Sequence, residues 1–396
     1  MTAILQIVHI SDLHVVAPTS PFRPSARDHR LWARLLSRYI EGASPIKWNE
    51  GTPVHSTEAY RAFRRFLEEA LRPDPEWFPK KGHRPPTWLV NTGDSTTFGD
   101  IGAMAQAERY DDELAGELDR AEQLRIFGNH DAWPAKFPLL ATSEDISRQR
   151  ERVSERRGWN FGDWMHRPLS APIPGSDSRI ELFALNSVLF DRVANTNALG
   201  RISSHALAAL RDAIEWRSRP HSSHGDFRIL AVHHPVDFPH PRSERRALGQ
   251  PYLPKTNVLT DVEKTVDALS APAPDRRGPL IHLLLSGHTH VGHPAQGKLP
   301  DEIPVRRKSV LHPYQLQLVT GALLCPPERD PDAPATTLGG AFQAELLRFY
   351  TSDEPGRLVL QRYVLVKRPG SGYVIAALPA GDHEELAFTF ASDAAS

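Results

Sequence analysis

Five short apolar stretches of this chain each end in residues able to hold a cation or move a proton: Asp12-Leu13-His14, Gly93-Asp94, Gly128-Asn129-His130-Asp131, His233-His234 and Gly287-His288-Thr289-His290. An Asp-x-His pair leaving a strand can offer two ligands to one ion, because alternate residues of an extended segment point the same way. Asp94 follows a glycine that lets the backbone turn sharply, and its two carboxylate oxygens can bridge two cations. Asn129 offers a neutral oxygen, while His233, His288 and His290 offer imidazole nitrogens, the commonest ligands of transition metals. This inventory of nitrogen and oxygen without sulfur disfavours structural zinc and suits manganese, iron or a catalytic zinc pair. Two adjacent ions of that kind, about 3.5–4 Å apart, generate hydroxide near neutral pH and clamp the oxygens of an in-line displacement at phosphorus.

The stretches that must position these residues read as strands over 4–10, 87–91, 123–127, 228–232 and 280–285, each short, apolar and followed by a polar exit. Between them, apolar residues at three- and four-residue spacing predict helices over 57–71, 105–121, 203–217 and 257–269. Alternating strands and helices predict an α/β fold. Beyond the last motif, 315–324, 341–351 and 357–366 alternate apolar and polar residues and read as a strand meander, with a turn at Asp353-Glu354-Pro355-Gly356. Ligand types run from Asp12 to His290, so one catalytic domain over 1–370 is the economical division. Residues 18–53, rich in Pro and Arg, read as an insertion placed to cap the site, and 371–396 as a tail that is partly loose over 381–396.

Charge narrows the substrate. With 47 Lys+Arg against 48 Asp+Glu the chain carries no global field toward nucleic acid or an anionic membrane, so an anionic substrate must be attracted locally. The single cysteine, Cys325, leaves no intrachain disulfide and reads as a small core residue. The opening MTAILQIVHISDLH lacks the basic start and cleavable apolar stretch of a signal peptide, and the sequence has no apolar run long enough to cross a bilayer; the expectation is a cytoplasmic protein.

Taken together and in order, the five blocks resemble the calcineurin-like metallophosphoesterase family. That resemblance implies a two-sheet β-sandwich flanked by helices in four layers. It places Asp12, His14 and His290 on a first metal and Asn129, His233 and His288 on a second, with Asp94 bridging. It favours His233 over His234 as the ligand, sets His130 on the leaving-group side of the phosphate and gives Asp131 the task of orienting His130. The implied activity is hydrolysis of a small phosphodiester, such as a nucleotide. Phosphomonoester hydrolysis, nuclease action on DNA or RNA and a non-catalytic scaffold are the alternatives. The long segments 18–53 and 238–255 depart from the family pattern and bear on substrate rather than on metal chemistry. His9 reads as a hydrogen-bonded core residue, His234 as a support for the ligands, His282 and His293 as structural or exposed, and Asn186 as a turn or a pocket wall. Arg23, Arg27, Arg30, Arg34 and Arg38 read as a solvated helix face, with a phosphate-facing rim as the alternative.

Overall fold

The computed structural model describes residues 3–16, 57–73, 84–134, 141–154, 159–160, 168–188, 200–217, 225–236, 259, 261–274, 279–288, 316–320, 323, 342–351, 357–367, 375–377 and 384–389. The expected insertions 18–53 and 238–255, and His290, His293 and Cys325, lie outside the described residues.

In one sheet β1 (Ala3–Ile10) runs parallel to β2 (Thr87–Asn91), which runs parallel to β3 (Glu122–Ile126) and on to the short β4 (Trp159–Asn160). In the other, β5 (Leu169–Pro172) pairs antiparallel with β6 (Arg179–Ala184). From there β7 (Phe227–Ala231), β8 (Leu283–Ser286) and β9 (Leu316–Val319) follow in parallel. Period-two alternation sends the residues of each strand to different layers. Leu5, Ile7, Trp88 and Val90 of one sheet share a core with Ile229, Ala231, Leu283 and Leu285 of the other. Each fully buried Leu, Ile or Val among them contributes about 1.5–3 kcal/mol.

The opposite faces are covered by helices. Val8, Ile10 and Leu89 pack with α1 (Thr57–Phe66, continued by a π turn over Leu67–Leu71) and α2 (Ile101–Glu117). Phe183, Leu230 and Leu284 pack with α4 (Ser204–Arg217) and α5 (Val262–Ser270), while α3 (Ser143–Ser154) lies between β3 and β4 in sequence. The result is the expected α/β fold, two sheets face to face with a helical layer on each outer face. No helix among the described residues is long and apolar enough to cross a membrane.

Local chemistry moved several boundaries. α2 begins four residues before its expected start because the Asp100 side chain accepts from Ala103 N at 2.9 Å and caps it. It ends early because Asp119 and Arg120 take positive φ values of 59° and 62°, with Ala121 N closing back on Ala115 O. The expected meander is split between the sheets. β9 joins β8 in parallel, whereas β10 (Phe342–Thr351) and β11 (Arg357–Lys367) form an antiparallel pair beside β1. The expected tail also contributes strands, since β12 (Ile375–Ala377) and β13 (Glu384–Thr389) both pair with β11. Their backbone donors and acceptors find partners on β11 that a loose tail would leave to water.

Candidate metal centre

The polar exits of β1, β2, β3, β7 and β8 converge where the two sheets meet. The first two stay paired beyond their strands, Asp12 N donating to Gly93 O, His14 N to Asp94 O and Val15 N to Ser95 O, each at 2.9 Å. Among the described residues six non-glycines have positive φ, and four of them are Asp12 (53°), His14 (50°), Asp94 (51°) and His288 (72°). Left-handed backbone costs an ordinary L-residue roughly 1–2 kcal/mol, so strain is gathered at four of the residues expected to hold metal. Asp12 and His14 therefore do not project from a plain extended segment; twisted turns bring Asp12 Oδ1 within 3.8 Å of His14 Nε2.

Asp94 is held from several directions. Gly93 has φ 105°, and a Cβ there would lie 2.6 Å from Gly128 N and 2.8 Å from His233 Nδ1. A Cβ on Gly128 would lie 2.0 Å from Asp94 Oδ1. Only glycines let these exits close up. Asp94 Oδ1 accepts from His130 N at 2.8 Å. The turn itself is gripped by Asn91, whose Oδ1 accepts from Gly93 N at 3.1 Å and whose Nδ2 donates to Ser95 Oγ at 3.1 Å and to Asp111 Oδ2 at 3.2 Å. Asp111 of α2 is fixed by Arg125 of β3 at 2.5 Å. Sequence reading gave Asn91 no role, and a polar residue inside a buried strand end is the signal that could have found it.

The remaining groups cluster around one imidazole. His233 Nδ1 faces the Thr92 carbonyl at 2.8 Å, an oxygen that only accepts, so Nδ1 carries a proton. Its Nε2 lies 3.0 Å from Asn129 Oδ1, 3.1 Å from His288 Nδ1 and 3.4 Å from Asp94 Oδ2. Donor atoms each about 2.1 Å from one ion in a tetrahedral or octahedral shell are separated by roughly 3.0–3.4 Å. Asp94 Oδ2 also lies 4.0 Å from His14 Nε2, so this single atom adjoins both ligand groups, as a bridging oxygen must. Asp94 Oδ2 and Asn129 Nδ2 are buried and have no hydrogen-bond partner among the described residues.

Electrostatics agrees with a cation. Asp12, Asp94 and Asp131 are all fully buried, and burial away from water penalises the charged form of a carboxylate. Burial pushes Asp12 up to about 6, with His233 pulling the other way. Burial also opposes ionisation of Asp94, yet His233 and His130 beside it hold its carboxyl well below the usual range. In return Asp94 lifts His233 to about 9 against its own burial. The residues present thus fit a pair of divalent ions in donor type, spacing and charge.

His130 and Asp131 differ from expectation in one respect. Asp131 Oδ1 accepts from Thr96 N and Thr96 Oγ1, both at 2.8 Å, and Oδ2 from Gly128 N at 3.0 Å and Ser95 N at 3.2 Å. Its carboxylate ties the β2 and β3 exits together and does not touch the His130 ring. Burial, with Asp94 nearby, raises Asp131 to about 7. The orienting acceptor of His130 is instead the Thr97 carbonyl, 3.0 Å from Nδ1. Trp133 lies against the His130 ring at 4.0 Å between centroids, and Gln149 of α3 donates to Gly99 O (2.6 Å) and Asp131 O (3.0 Å), bracing both loops. Neither residue was singled out in the sequence. The helix carrying Gln149 could have been found from Thr142 and Asp145, which form a reciprocal capping box at 2.9 and 3.1 Å.

The structure thus gathers Asp12, His14, Asp94, Asn129, His130, His233 and His288, with Asp131 beneath them. His290 lies outside the described residues. His234 is held by Ser187 Oγ, 2.9 Å from its Nδ1, and also lies close enough to His233 and His288 to join a ligand group. His9 is a buried, hydrogen-bonded strand residue, His282 accepts from Arg228 N at 3.1 Å, and Asn186 Oδ1 accepts from Val188 N at 2.9 Å in a turn.

No curated protein matches the sequence. Among solved structures, the chain is similar to GAP50, the anchor in the inner membrane complex of Plasmodium, at 10% identity and TM-score 0.42, covering 95% of this chain and 88% of that one. It is also similar to Vps29 of Chaetomium thermophilum at 9% identity and TM-score 0.29, covering 99% and 100%. The family model described as calcineurin-like phosphoesterase matches residues 5–292, which include every converging exit. The chain belongs to the calcineurin-like phosphoesterase family.

Proposed function

We propose that the protein hydrolyses small phosphodiesters with two divalent metal ions, manganese, iron or zinc. The observation that carries this reading is the placement of Asn129 Oδ1, His288 Nδ1 and Asp94 Oδ2 around His233 Nε2, at 3.0, 3.1 and 3.4 Å, with Asp94 Oδ2 also 4.0 Å from His14 Nε2. When bound, such ions activate water and offset the charge of the phosphate. His130 supplies what they do not. Among the described residues it is the one partly exposed member of the group, its ring centroid is 4.7 Å from that of His14, and its Nδ1–H is committed to Thr97 O. Nε2 is then the ring nitrogen left to carry the second proton of an imidazolium and to give it to the leaving oxygen. Asp12, His14 and His290 serve the first ion and Asn129, His233 and His288 the second.

A small substrate suits the near-neutral net charge, since a long polyanion is held mainly by clustered Lys and Arg. The test is hydrolysis by manganese-loaded protein of cyclic nucleotides and bis-nitrophenyl phosphate against nitrophenyl phosphate and single-stranded DNA. Faster turnover of the small diesters is expected. Preference for the monoester or for DNA would replace the diester reading, and inactivity toward all of them with both ions bound would favour a scaffold.

A further inference from the structure

His9 lies in the middle of β1, on the inter-sheet face with Leu5 and Ile7, and an apolar residue would suit that position. Instead its Nδ1 donates to Glu345 Oε2 of β10 at 2.8 Å. Glu345 is gripped in turn by Arg362 of β11, through Nε at 3.1 Å and through Nη2. All three are almost wholly buried, in register with Leu347, Phe349, Leu358 and Leu360 of the same layer. Burial opposes ionisation of Glu345, but Arg362 and His9 hold it down to about 2. A buried ion pair is often no more stabilising than apolar residues of the same volume, so stability alone is a weak reason for this chain of charges.

The other end of the chain shows where it leads. His9 Nε2 meets Thr92 Oγ1 at 3.1 Å, and Thr92 N donates to Ile10 O at 3.0 Å, so the residue is fixed on two sides. Its third polar group, the carbonyl, receives His233 Nδ1–H at 2.8 Å. Thr92 belongs to one sheet and His233 to the other. We propose that Arg362, Glu345 and His9 form a buried positioning relay that fixes Thr92 and, through its carbonyl, the tautomer and aim of His233. The two strands carrying Glu345 and Arg362 lie beyond the family-matched segment 5–292, so this part of the chain sets how tightly the His233 side of the pocket holds its ion. This inference rests on the metal reading of the site.

Its test is a manganese titration by calorimetry of chelator-stripped protein, run beside a thermal melt in chelator. The variants are Thr92→Val, nearly isosteric and lacking only the hydroxyl, His9→Phe, and Thr92→Ser, which keeps the hydroxyl. Thr92→Val and His9→Phe should each weaken one of the two sites about tenfold and spare the other, the lower end of what supporting hydrogen bonds to ligand histidines contribute, and Thr92→Ser should restore it. If Thr92→Val and His9→Phe bind both ions as the wild type does, whatever their melting temperatures, the relay is overturned while the metal reading stands. A wild-type protein that binds no manganese overturns both.

Discussion

The two sheets hold their share of the site by different means. Asp12, Asp94 and Asn129 leave neighbouring parallel strands of the first sheet, and the Asp12 and Asp94 turns are strained, with the Asn91 amide and the Asp131 carboxylate bracing these exits. His233 and His288 leave the second sheet and are aimed largely by bonds across to the first: His233 to the Thr92 carbonyl, and His288 N to Asp12 Oδ2 at 2.9 Å. The residues of the first sheet, His14 among them, are thus fixed mainly within that sheet, while His233 and His288 depend on how the sheets dock. Damage to the turns should unmake the whole site, whereas damage to the docking should loosen the imidazole side first.

The largest effect is expected for Asp94→Ala. A bridging carboxylate serves both ions and screens their repulsion, so both should weaken together and activity should collapse. Elemental analysis that still found two ions per chain would place Asp94 outside the bridge.

Next in size is His130→Ala, which removes a proton donor and spares the ligands. Rates on diesters with alkyl leaving groups should drop by roughly 10²–10⁴-fold, and clearly less on nitrophenyl diesters, whose leaving group departs unprotonated. Equal losses on both with metal content intact would recast His130 as a phosphate-binding group.

A smaller loss is expected for Asn91→Ala, which leaves every ligand but releases the Gly93–Ser95 turn. Removing bonds to buried groups costs about 1–3 kcal/mol, so chemical denaturation should show that loss together with weaker binding at both ions. Weakening confined to the imidazole side would break the distinction drawn between the sheets.

The gentlest probe is pH. Asp12 (raised to about 6), Asp131 (about 7) and His233 (about 9) all sit above their ordinary values, so these three groups hold more protons in the folded metal-free chain than in the unfolded one between about pH 4 and pH 9. Stability from these groups is present at the acidic end and is lost as pH rises through those values. Asp94 and Glu345 shift the other way and lose their contribution only in acid, while His282, held well below its ordinary value by burial and Arg228, partly offsets the trend below about pH 6.5. The melting temperature of chelator-treated protein should fall from pH 5 to pH 9. Excess manganese should flatten or reverse that slope, because ions require deprotonated ligands.

Much of this candidate site was legible because each described candidate ligand sits at a strand exit, where a short apolar run and a following Gly, Asp or His are visible side by side. The supporting bonds were not. Asn91 and Gln149 are ordinary polar residues until tertiary structure sets Gly93 N or Gly99 O before them, and Asp131 could not be separated from His130 by sequence position alone. α3 escaped notice because SEDISRQRERVS buries little besides Ile146 and Gln149 and so has no apolar stripe. The destination of β9 was hidden for another reason. Alternation marks a strand but does not say which of two sheets it joins.

The most direct test of the central claim is a metal count on wild-type protein stripped with chelator and titrated with manganese near pH 8. Two ions per chain are predicted, with near-complete loss of both in Asp94→Ala and retention of both in His130→Ala. One ion in the wild type, or two that survive Asp94→Ala, would contradict a dinuclear centre bridged by Asp94.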